Sequence, residues 1–195
     1  TMAVDQNFTN VINELYNELS IDILVPGVDE ELLKISDLTS VVSLLPQRKY
    51  VETMLDKLKC SRILEVQGQQ YPVTEIATNI NKNSNNIAYP CIAKPRSGRG
   101  SRNVNVIHSY EQLQAYLTLT GLSGHDVVVQ ELLIGQEYTV LMSADKNMNL
   151  QAIVPVRVDM KRGITIRAQS HINDIVINEC SAIHNAIPAK GCYNI

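Results

Sequence analysis

A lysine carried by a short apolar run into a glycine-rich loop is the feature that most constrains this chain. The run Pro90–Ala93 leads to Lys94, the stretch PRSGRGSR follows, and a second β-type run, Val104–Ile107, leaves the loop. Glycines allow positive φ and close approach of the backbone, and successive N–H groups can then converge on an anion. The pattern predicts either a phosphate-binding loop, to which Lys94 adds a point charge, or an exposed basic hairpin loop without a ligand.

The composition limits the kinds of partner to be expected. The 195 residues suffice for one domain or two small lobes, and the 45% hydrophobic content with one Phe and no Trp predicts an aliphatic core. A net charge of −3 gives no electrostatic reason to expect a nucleic acid or an anionic membrane surface as partner. We also expect no membrane span and no signal peptide, because no stretch has the required apolar length.

The cysteines indicate the redox environment. They lie far apart in the sequence, without a CxxC pair, and three of them stand in apolar or helical surroundings. They are Cys60, Cys91, Cys180 and Cys192. This distribution predicts reduced, buried thiols in a cytoplasmic protein rather than a disulfide framework or a zinc site.

The N-terminal segment has an α/β pattern. Apolar residues between Phe8 and Leu19 recur at helical spacing, which predicts a helix. The run Ile21–Val25 ends at Pro26-Gly27 and predicts a buried parallel strand. A second helix should open at Asp29, and another apolar run follows at Val41–Leu45. Residues 1–46 are therefore predicted to form a partial α/β unit that begins inside a parallel sheet.

The pattern changes at the middle of the chain. A helix is predicted over Gln47–Lys59, and Ser61–Val66 could continue it. A capping box should open a further helix at Ser109, and Gly121 should close it. Three β-type runs then follow, which predicts an antiparallel meander. These runs are Asp126–Leu133, Gln136–Ala144 and Leu150–Asp159.

The predicted organisation is therefore a partial unit at 1–46, a first lobe at 47–120 and the start of a second lobe at 121–195. Asn173 should cap a last helix, and Gly191–Ile195 has the character of a strand at its beginning. We expect the chain to be a fragment, and its exposed strand edges make a homo-oligomer possible.

Taken together, the motifs resemble those of a known family. Asp56-Lys57, then Lys94-Pro95 with its Ser/Gly-rich loop, then VVVQELLIGQEYTV and finally PVRVDMKRGIT occur in this order. The order is similar to that of the ATP-grasp superfamily, in particular one ATP-grasp unit of the carbamoyl-phosphate synthase large subunit, from about residue 20 onward. The resemblance implies an α+β (α/β) fold of two lobes, preceded by the tail of a Rossmann-like domain, with the C-terminal part of the grasp domain missing.

The resemblance also implies an ATP site. Lys57 and Lys94 would contact phosphates, Glu137 would accept the ribose hydroxyls, and Arg157 would act near the phosphates or an acyl-phosphate. The remaining residues implied are those of the phosphate loop and of the hinge beside the adenine. They are Ser97, Gly98, Gly100, Ser101, Gln130, Glu131, Leu132 and Leu133. Judged from the residues alone, Lys57 could equally be a solvated helix lysine, and Arg157 an outward strand residue.

The implied function is ATP-dependent ligation of a small-molecule carboxylate (or carbonate) to an amine or thiol through an acyl-phosphate. Mg²⁺ would accompany the ATP, with ligands beyond residue 195, so that the chain alone should be inactive. The alternative is a non-catalytic nucleotide-binding or regulatory module, which is in keeping with Asn103 at a loop position where many relatives carry Gly. A Rossmann dehydrogenase is set aside because no G-x-G-x-x-G follows a first strand.

Overall fold

The computed structural model describes residues 3–83 and 86–195. The first two residues of the predicted N-terminal unit, and residues 84 and 85, lie outside this range. The chain folds into two compact units, and each unit is discontinuous in sequence. The first contains residues 1–52, 139–156 and 170–195, and the second contains residues 53–138 and 157–169. The contiguous lobe boundaries proposed from the sequence stay a prediction.

The fold mixes helices with two four-stranded sheets. The helices are α1 Phe8–Glu18, α2 Asp29–Ser36, α3 Arg48–Met54, α4 Lys57–Val66, α5 Tyr110–Thr120 and α6 Asp174–Ala186. The strands are β1 Thr74–Ile76, β2 Cys91–Pro95, β3 Asn105–Ile107, β4 Val127–Glu131, β5 Tyr138–Ala144, β6 Leu150–Arg162, β7 Ile164–Ser170 and β8 Gly191–Asn194. The sheet orders are β1-β4-β2-β3 and β7-β6-β5-β8.

The first sheet forms the centre of the second unit. Strand β4 pairs antiparallel with both β1 and β2, and β2 pairs antiparallel with β3. Alternate residues point to opposite faces of such a sheet. Cys91, Ala93 and Val129 belong to the core, together with Leu113 and Tyr116 of α5. Lys94 and Gln130 alternate with these core residues along β2 and β4, so their side chains lie on the other face of the sheet.

Local sequence signals explain where the helices of this unit begin and end. The Ser109 hydroxyl accepts a hydrogen bond from the Gln112 amide, while the Gln112 side chain accepts one from the amide of His108. Gly121 ends α5 with a left-handed φ of 65°, a conformation that glycine adopts without steric cost. The predicted cap at Ser109 and the helix end at Gly121 are confirmed, while the Gln112 side chain binds the amide of His108 rather than that of Ser109.

The continuous helix predicted from Gln47 to Val66 is wrong. The structure has two helices, α3 and α4, and Asp56 begins the second one. The Asp56 carboxylate accepts hydrogen bonds from the amides of Leu58 and Lys59, as an N-cap does. Because this side chain satisfies free amides at the start of α4, it favours a new helix there instead of a continuation of α3.

The buried parallel strand predicted at Ile21–Val25 is also wrong. Only one parallel bridge forms there among the described residues, between Leu24 and Ser43. The side chains of Ile23 and Val25 are exposed. An apolar run becomes a strand only where a partner of matching length is available, and the described part of the chain supplies one bridge here.

The predicted meander begins one strand too early. Strand β4 belongs to the first sheet, whereas β5, β6 and β7 follow one another in the second. The segment between β4 and β5 therefore connects the two sheets instead of forming a hairpin. The helix starting after Asn173 and the strand at Gly191 are confirmed as α6 and β8.

The first unit has its own hydrophobic core. Phe8, Ile35 and Leu45 are buried together, and α1 and α2 supply the first two. In the same unit, buried His184 bonds to the Tyr193 hydroxyl and, at 2.9 Å, to the carbonyl of Met148. These contacts satisfy the polar groups of buried side chains, and we assign them to stability.

The four cysteines are free thiols, as predicted. Cys91 and Cys180 are buried and Cys60 is partly buried, but Cys192 is exposed on the last strand. The prediction of burial therefore fails for Cys192. Among the described residues, no helix has the length and apolar character needed to cross a membrane.

Candidate functional site

The residues predicted to bind nucleotide all lie in the second unit, although they come from distant parts of the sequence. Strand β2 carries Lys94, the start of α4 carries Lys57, and the end of β4 carries Gln130 and Glu131. Arg157 lies on β6, in the part of that strand that belongs to the same unit.

Lys94 is held in a polar network on its face of the first sheet. Its Nζ donates to the side-chain oxygen of Gln130 at 2.5 Å. The Gln130 amide nitrogen donates to the Thr74 hydroxyl at 2.6 Å, which in turn donates to the Pro72 carbonyl at 2.7 Å. The acceptor that Lys94 finds is thus a neutral amide rather than a carboxylate.

The electrostatic environment of Lys94 is unusual for a lysine. Burial, together with repulsion from Lys57 and Lys161, lowers the pKa of Lys94 from its ordinary value of 10.5 to about 8. Desolvation and like charges both disfavour the ammonium form. Lys57 and Lys161 therefore both add positive potential at Lys94, which favours an anion there.

The loop after Lys94 has the backbone conformation expected of an anion-binding loop. Positive φ occurs at four of its residues, Gly98 at 114°, Gly100 at 69°, Ser101 at 54° and Asn103 at 55°. Asn103 adopts a positive φ although it is not a glycine, because Asn tolerates the left-handed region better than most residues.

Side chains and backbone groups hold this loop in place. Lys57 Nζ donates to the Gly98 carbonyl at 3.0 Å. The Ser101 hydroxyl donates to the Gly163 carbonyl at 2.8 Å, and the Tyr116 hydroxyl donates to the Asn103 carbonyl at 2.7 Å. Lys57 is thus brought to the loop, as its predicted role requires.

The end of β4 and the segment after it contain the predicted hinge residues. The Glu131 amide donates to the Val73 carbonyl at 2.9 Å, and its carboxylate accepts a hydrogen bond from the Val73 amide at 3.2 Å. Leu132 is partly buried, whereas Leu133 is exposed. Glu137 is exposed, and its carboxylate forms a short ion pair with Lys161.

Arg157 is engaged by a carboxylate of its own strand. Its guanidinium donates to Asp159 at 2.9 Å, and Arg167 approaches the same carboxylate at 3.9 Å. Lys161 lies four residues further along β6, which is about 13 Å on an extended strand. Lys161 is therefore the β6 cation that acts electrostatically on Lys94.

Two contributors were missed by the sequence predictions. Lys161 is not among the predicted site residues, although the spacing Arg157, Asp159, Lys161 places three charges on alternate residues of one strand. Arg96 also lies outside the predicted site residues, and its guanidinium forms two hydrogen bonds with Asp56, at 2.9 and 2.8 Å. The sequence offers no signal that pairs Asp56 with Arg96.

The family model of the ATP-grasp domain matches residues 54–193. The chain belongs to the ATP-grasp family. No curated protein matches the sequence.

Solved structures show the same ATP-grasp fold. Rhizobium etli pyruvate carboxylase is 15% identical with a TM-score of 0.76, over 94% of this chain and 18% of that one. Campylobacter jejuni biotin carboxylase is 15% identical with a TM-score of 0.73, and the match covers 94% of this chain and 47% of that one. The D-Ala:D-Ser ligase VanG of Enterococcus faecalis is 16% identical with a TM-score of 0.65, over 89% and 58%. This ATP-grasp chain thus spans 58% or less of the length of these proteins.

The family implies a metal ion together with the nucleotide. In residues 3–83 and 86–195, no group of three or more His, Cys, Asp or Glu side chains could hold such an ion. The carboxylates of Glu137 and Asp159 are engaged by Lys161 and Arg157. The described residues therefore do not fit a metal site of their own.

Proposed function

We propose that this ATP-grasp chain binds ATP in its second unit, beside the loop of residues 97–103. Three observations support this proposal. Lys94 is held by a neutral acceptor, Lys57 contacts the Gly98 carbonyl of the loop at 3.0 Å, and the positive charges of Lys57 and Lys161 disfavour that of Lys94. A polyphosphate would relieve this repulsion, because an anion near an ammonium group favours its charged form.

The other residues have proposed roles that follow from their positions. Amides of the loop, at Ser97, Gly98, Gly100 and Ser101, would bind phosphate oxygens, as backbone N–H groups in positive-φ loops do. Leu132 and Leu133 would cover the adenine. The Glu131 amide already donates to Val73, so Glu131 and Leu133 would read the edge of the base through their other main-chain groups.

Glu137 is proposed to accept the ribose hydroxyls. Its present partner is Lys161, and the nucleotide would offer both members of this ion pair a new partner. The ribose hydroxyls would donate to the carboxylate, while the phosphates would attract the ammonium group. An exposed ion pair contributes little to stability, so exchanging its partners should cost little.

For the complete protein we propose an ATP-dependent ligase, similar to a carbamoyl-phosphate synthase unit. A carboxylate oxygen attacks the γ-phosphorus, the bond to the β,γ-bridging oxygen breaks, and ADP leaves with that electron pair. An amine or thiol then attacks the acyl carbon, loses its proton, and displaces phosphate. The lysines would neutralise charge and align the phosphates. Arg157 is a candidate for contact with the acyl-phosphate.

Mg²⁺ is part of the proposal only as a prediction, with ligands expected beyond residue 195. The chemistry it supplies when bound is neutralisation of the phosphate charge. A non-catalytic nucleotide-binding module is the second candidate. ATP binding without release of ADP by the complete protein, in the presence of a range of carboxylates and amines, would favour that second function.

The experiment that tests nucleotide binding compares ATP, ADP and adenosine by calorimetry. Lys94→Ala should weaken the binding of ATP and ADP roughly tenfold to a hundredfold, because a charge-assisted hydrogen bond contributes ~1.5–3 kcal/mol. It should leave adenosine nearly unchanged. Glu137→Ala should weaken all three, because all carry the ribose. Equal losses of adenosine and ATP in Lys94→Ala would show that the lysine is structural.

A further inference from the structure

The Asp56–Arg96 ion pair joins the two segments that carry the phosphate-binding candidates. Asp56 immediately precedes Lys57 at the start of α4, and Arg96 is two residues after Lys94 at the base of the loop. The two side chains form a bidentate contact, with Nε and Nη2 of Arg96 at 2.9 and 2.8 Å from the two carboxylate oxygens. Such fork-shaped contacts fix orientation as well as distance.

Backbone hydrogen bonds make this junction tighter. The Lys57 amide donates to the Arg96 carbonyl at 3.0 Å, and the Arg96 amide donates to the Asp126 carbonyl at 2.8 Å. Arg96 thus contacts the start of α4 through its side chain and its carbonyl. Its amide contacts Asp126, the residue before β4. The loop of residues 97–103 begins directly after this fixed point.

The Asp56–Arg96 ion pair is partly buried, unlike an ion pair on the open surface. The exposed fractions of the side chains are 31% for Arg96 and 14% for Asp56. Burial raises the pKa of the Asp56 carboxyl, but the hydrogen bonds from Arg96 and from the helix amides outweigh burial, and the net pKa is lowered. The carboxylate is therefore charged at neutral pH, and the Arg96 charge is neutralised within the protein.

From this geometry we infer that Asp56 and Arg96 are positioning residues, which hold the Lys57 ammonium and the base of the 97–103 loop in register with Lys94. This inference rests on the proposed nucleotide site but concerns different residues. It assigns Arg96 to the support of the loop and not to contact with phosphate. Lys57 Nζ at 3.0 Å from the Gly98 carbonyl is the contact that the pair keeps in place.

The variants distinguish the contribution of the ion pair from that of Asp56 as the N-cap of α4. Asp56→Asn keeps an N-cap residue, because Asn is as good a cap as Asp, but it removes the charge. Arg96→Lys keeps a charge without the planar fork, and Arg96→Met removes both. Arg62→Met is the matched control, because Arg62 lies on the same helix and links it to Glu75 of β1 at 3.0 Å.

The first measurement is amide hydrogen exchange of the nucleotide-free protein. In Asp56→Asn and Arg96→Met, the amides of residues 97–103 should exchange about tenfold faster, as ~1.4 kcal/mol of lost local stability would produce. Arg96→Lys should be intermediate. Amides of β4 should be unchanged, and Arg62→Met should match the wild type in the loop. Loop exchange in Asp56→Asn equal to that of Arg62→Met would overturn the inference.

The second measurement is calorimetry with ATP and adenosine. Asp56→Asn should weaken the binding of ATP about tenfold and leave the binding of adenosine unchanged, whereas Arg62→Met should change neither affinity. A gain in ATP affinity in Asp56→Asn would overturn the inference, because it would make Arg96 a phosphate ligand that Asp56 holds away. If the wild type binds neither ligand, the proposed function fails, and hydrogen exchange still decides whether the pair positions the loop. If Arg96→Met does not fold, Asp56→Asn and Arg96→Lys decide.

Discussion

At the scale of single residues, Lys94 shows how a sheet can hold a positive charge ready for an anion. Its hydrogen bond to Gln130 satisfies one of three ammonium protons with a neutral oxygen. Gln130 is oriented by Thr74, which is 2% exposed and opposite to it on β1. Its acceptor is thus a dipole and not a countercharge, so the proposed phosphate would not have to displace a carboxylate.

The lowered pKa of Lys94, about 8, predicts a pH dependence of ATP binding. Only the ammonium form attracts phosphate, and bound ATP raises its pKa. The affinity should therefore be constant below pH 8 and fall above it, by at most about tenfold per pH unit for one proton. ATP itself does not titrate there, because its last phosphate pKa is about 6. Calorimetry between pH 7 and 9.5 measures this fall.

Lys94→Arg is the control for this pH dependence, since a guanidinium keeps its charge throughout the range. Its ATP affinity should show a flatter profile than that of the wild type. The same fall in both proteins would mean that another group titrates, and that Lys94 does not bind the phosphates.

Gln130 gives a second prediction at this scale. Gln130→Met removes the acceptor of Lys94 and the donor to Thr74, and it leaves a partly buried ammonium without that oxygen. The free energy of unfolding should fall by about 1–3 kcal/mol, measured by urea denaturation. Gln114→Met, an exposed position on α5 of the same unit, should stay within about 0.5 kcal/mol of the wild type. A change in Gln130→Met as small as that of Gln114→Met would show that the network is not stabilising.

At the scale of secondary-structure elements, the ends of the elements decide where the candidate groups lie. The N-cap at Asp56 starts α4 one residue before Lys57, which places that lysine in the first turn, beside the loop. The pairing of β2 with β4 places Lys94 opposite Val128 and Ile92 opposite Gln130. A shift of one residue in this register would turn Gln130 to the other face of the sheet.

Two glycines allow the cost of a left-handed conformation to be separated from that of a steric clash. Gly121 ends α5 at a φ of 65°, and an added Cβ would meet nothing within 4 Å. Gly191 on β8 has a φ of 83°, and its added Cβ would lie 2.7 Å from the Leu44 carbonyl oxygen. Gly121→Ala should destabilise by about 1–2 kcal/mol, and Gly191→Ala should destabilise by more.

Thermal unfolding of both variants tests this order. Gly27→Ala is the control, because its Cβ meets nothing within 4 Å and its φ is not left-handed. It should change the unfolding free energy by no more than about 0.5 kcal/mol. If Gly121→Ala were as costly as Gly191→Ala, the close approach to Leu44 would not contribute.

At the scale of the whole molecule, the candidate residues belong to one of the two compact units. Hydrogen exchange with saturating ATP should therefore protect amides in three segments of the second unit, 94–103, 127–137 and 157–163, because bound ligand suppresses local opening. Adenosine should protect residues 130–137 but not the loop of residues 97–103. Protection confined to residues 139–156 and 170–195 would place the nucleotide elsewhere.

The sequence by itself determined the features that depend on near neighbours. The caps at Ser109 and Asn173 and the helix end at Gly121 involve groups within four residues of one another. The glycine-rich loop and Asn103 are readable for the same reason, because positive φ is a property of single residues. The order of the motifs was sufficient to place the chain in the ATP-grasp family.

Only the tertiary structure decided which distant segments meet. The sheet to which β4 belongs depends on pairing with β1 and β2, and a strand pattern does not specify its partners. The Asp56–Arg96 contact joins residues 40 apart, and the Lys161–Glu137 contact joins residues 24 apart. A charged side chain in a sequence has many possible partners of opposite sign. The folded chain selects among them by bringing specific strands together, because the core can bury its apolar faces only in that arrangement.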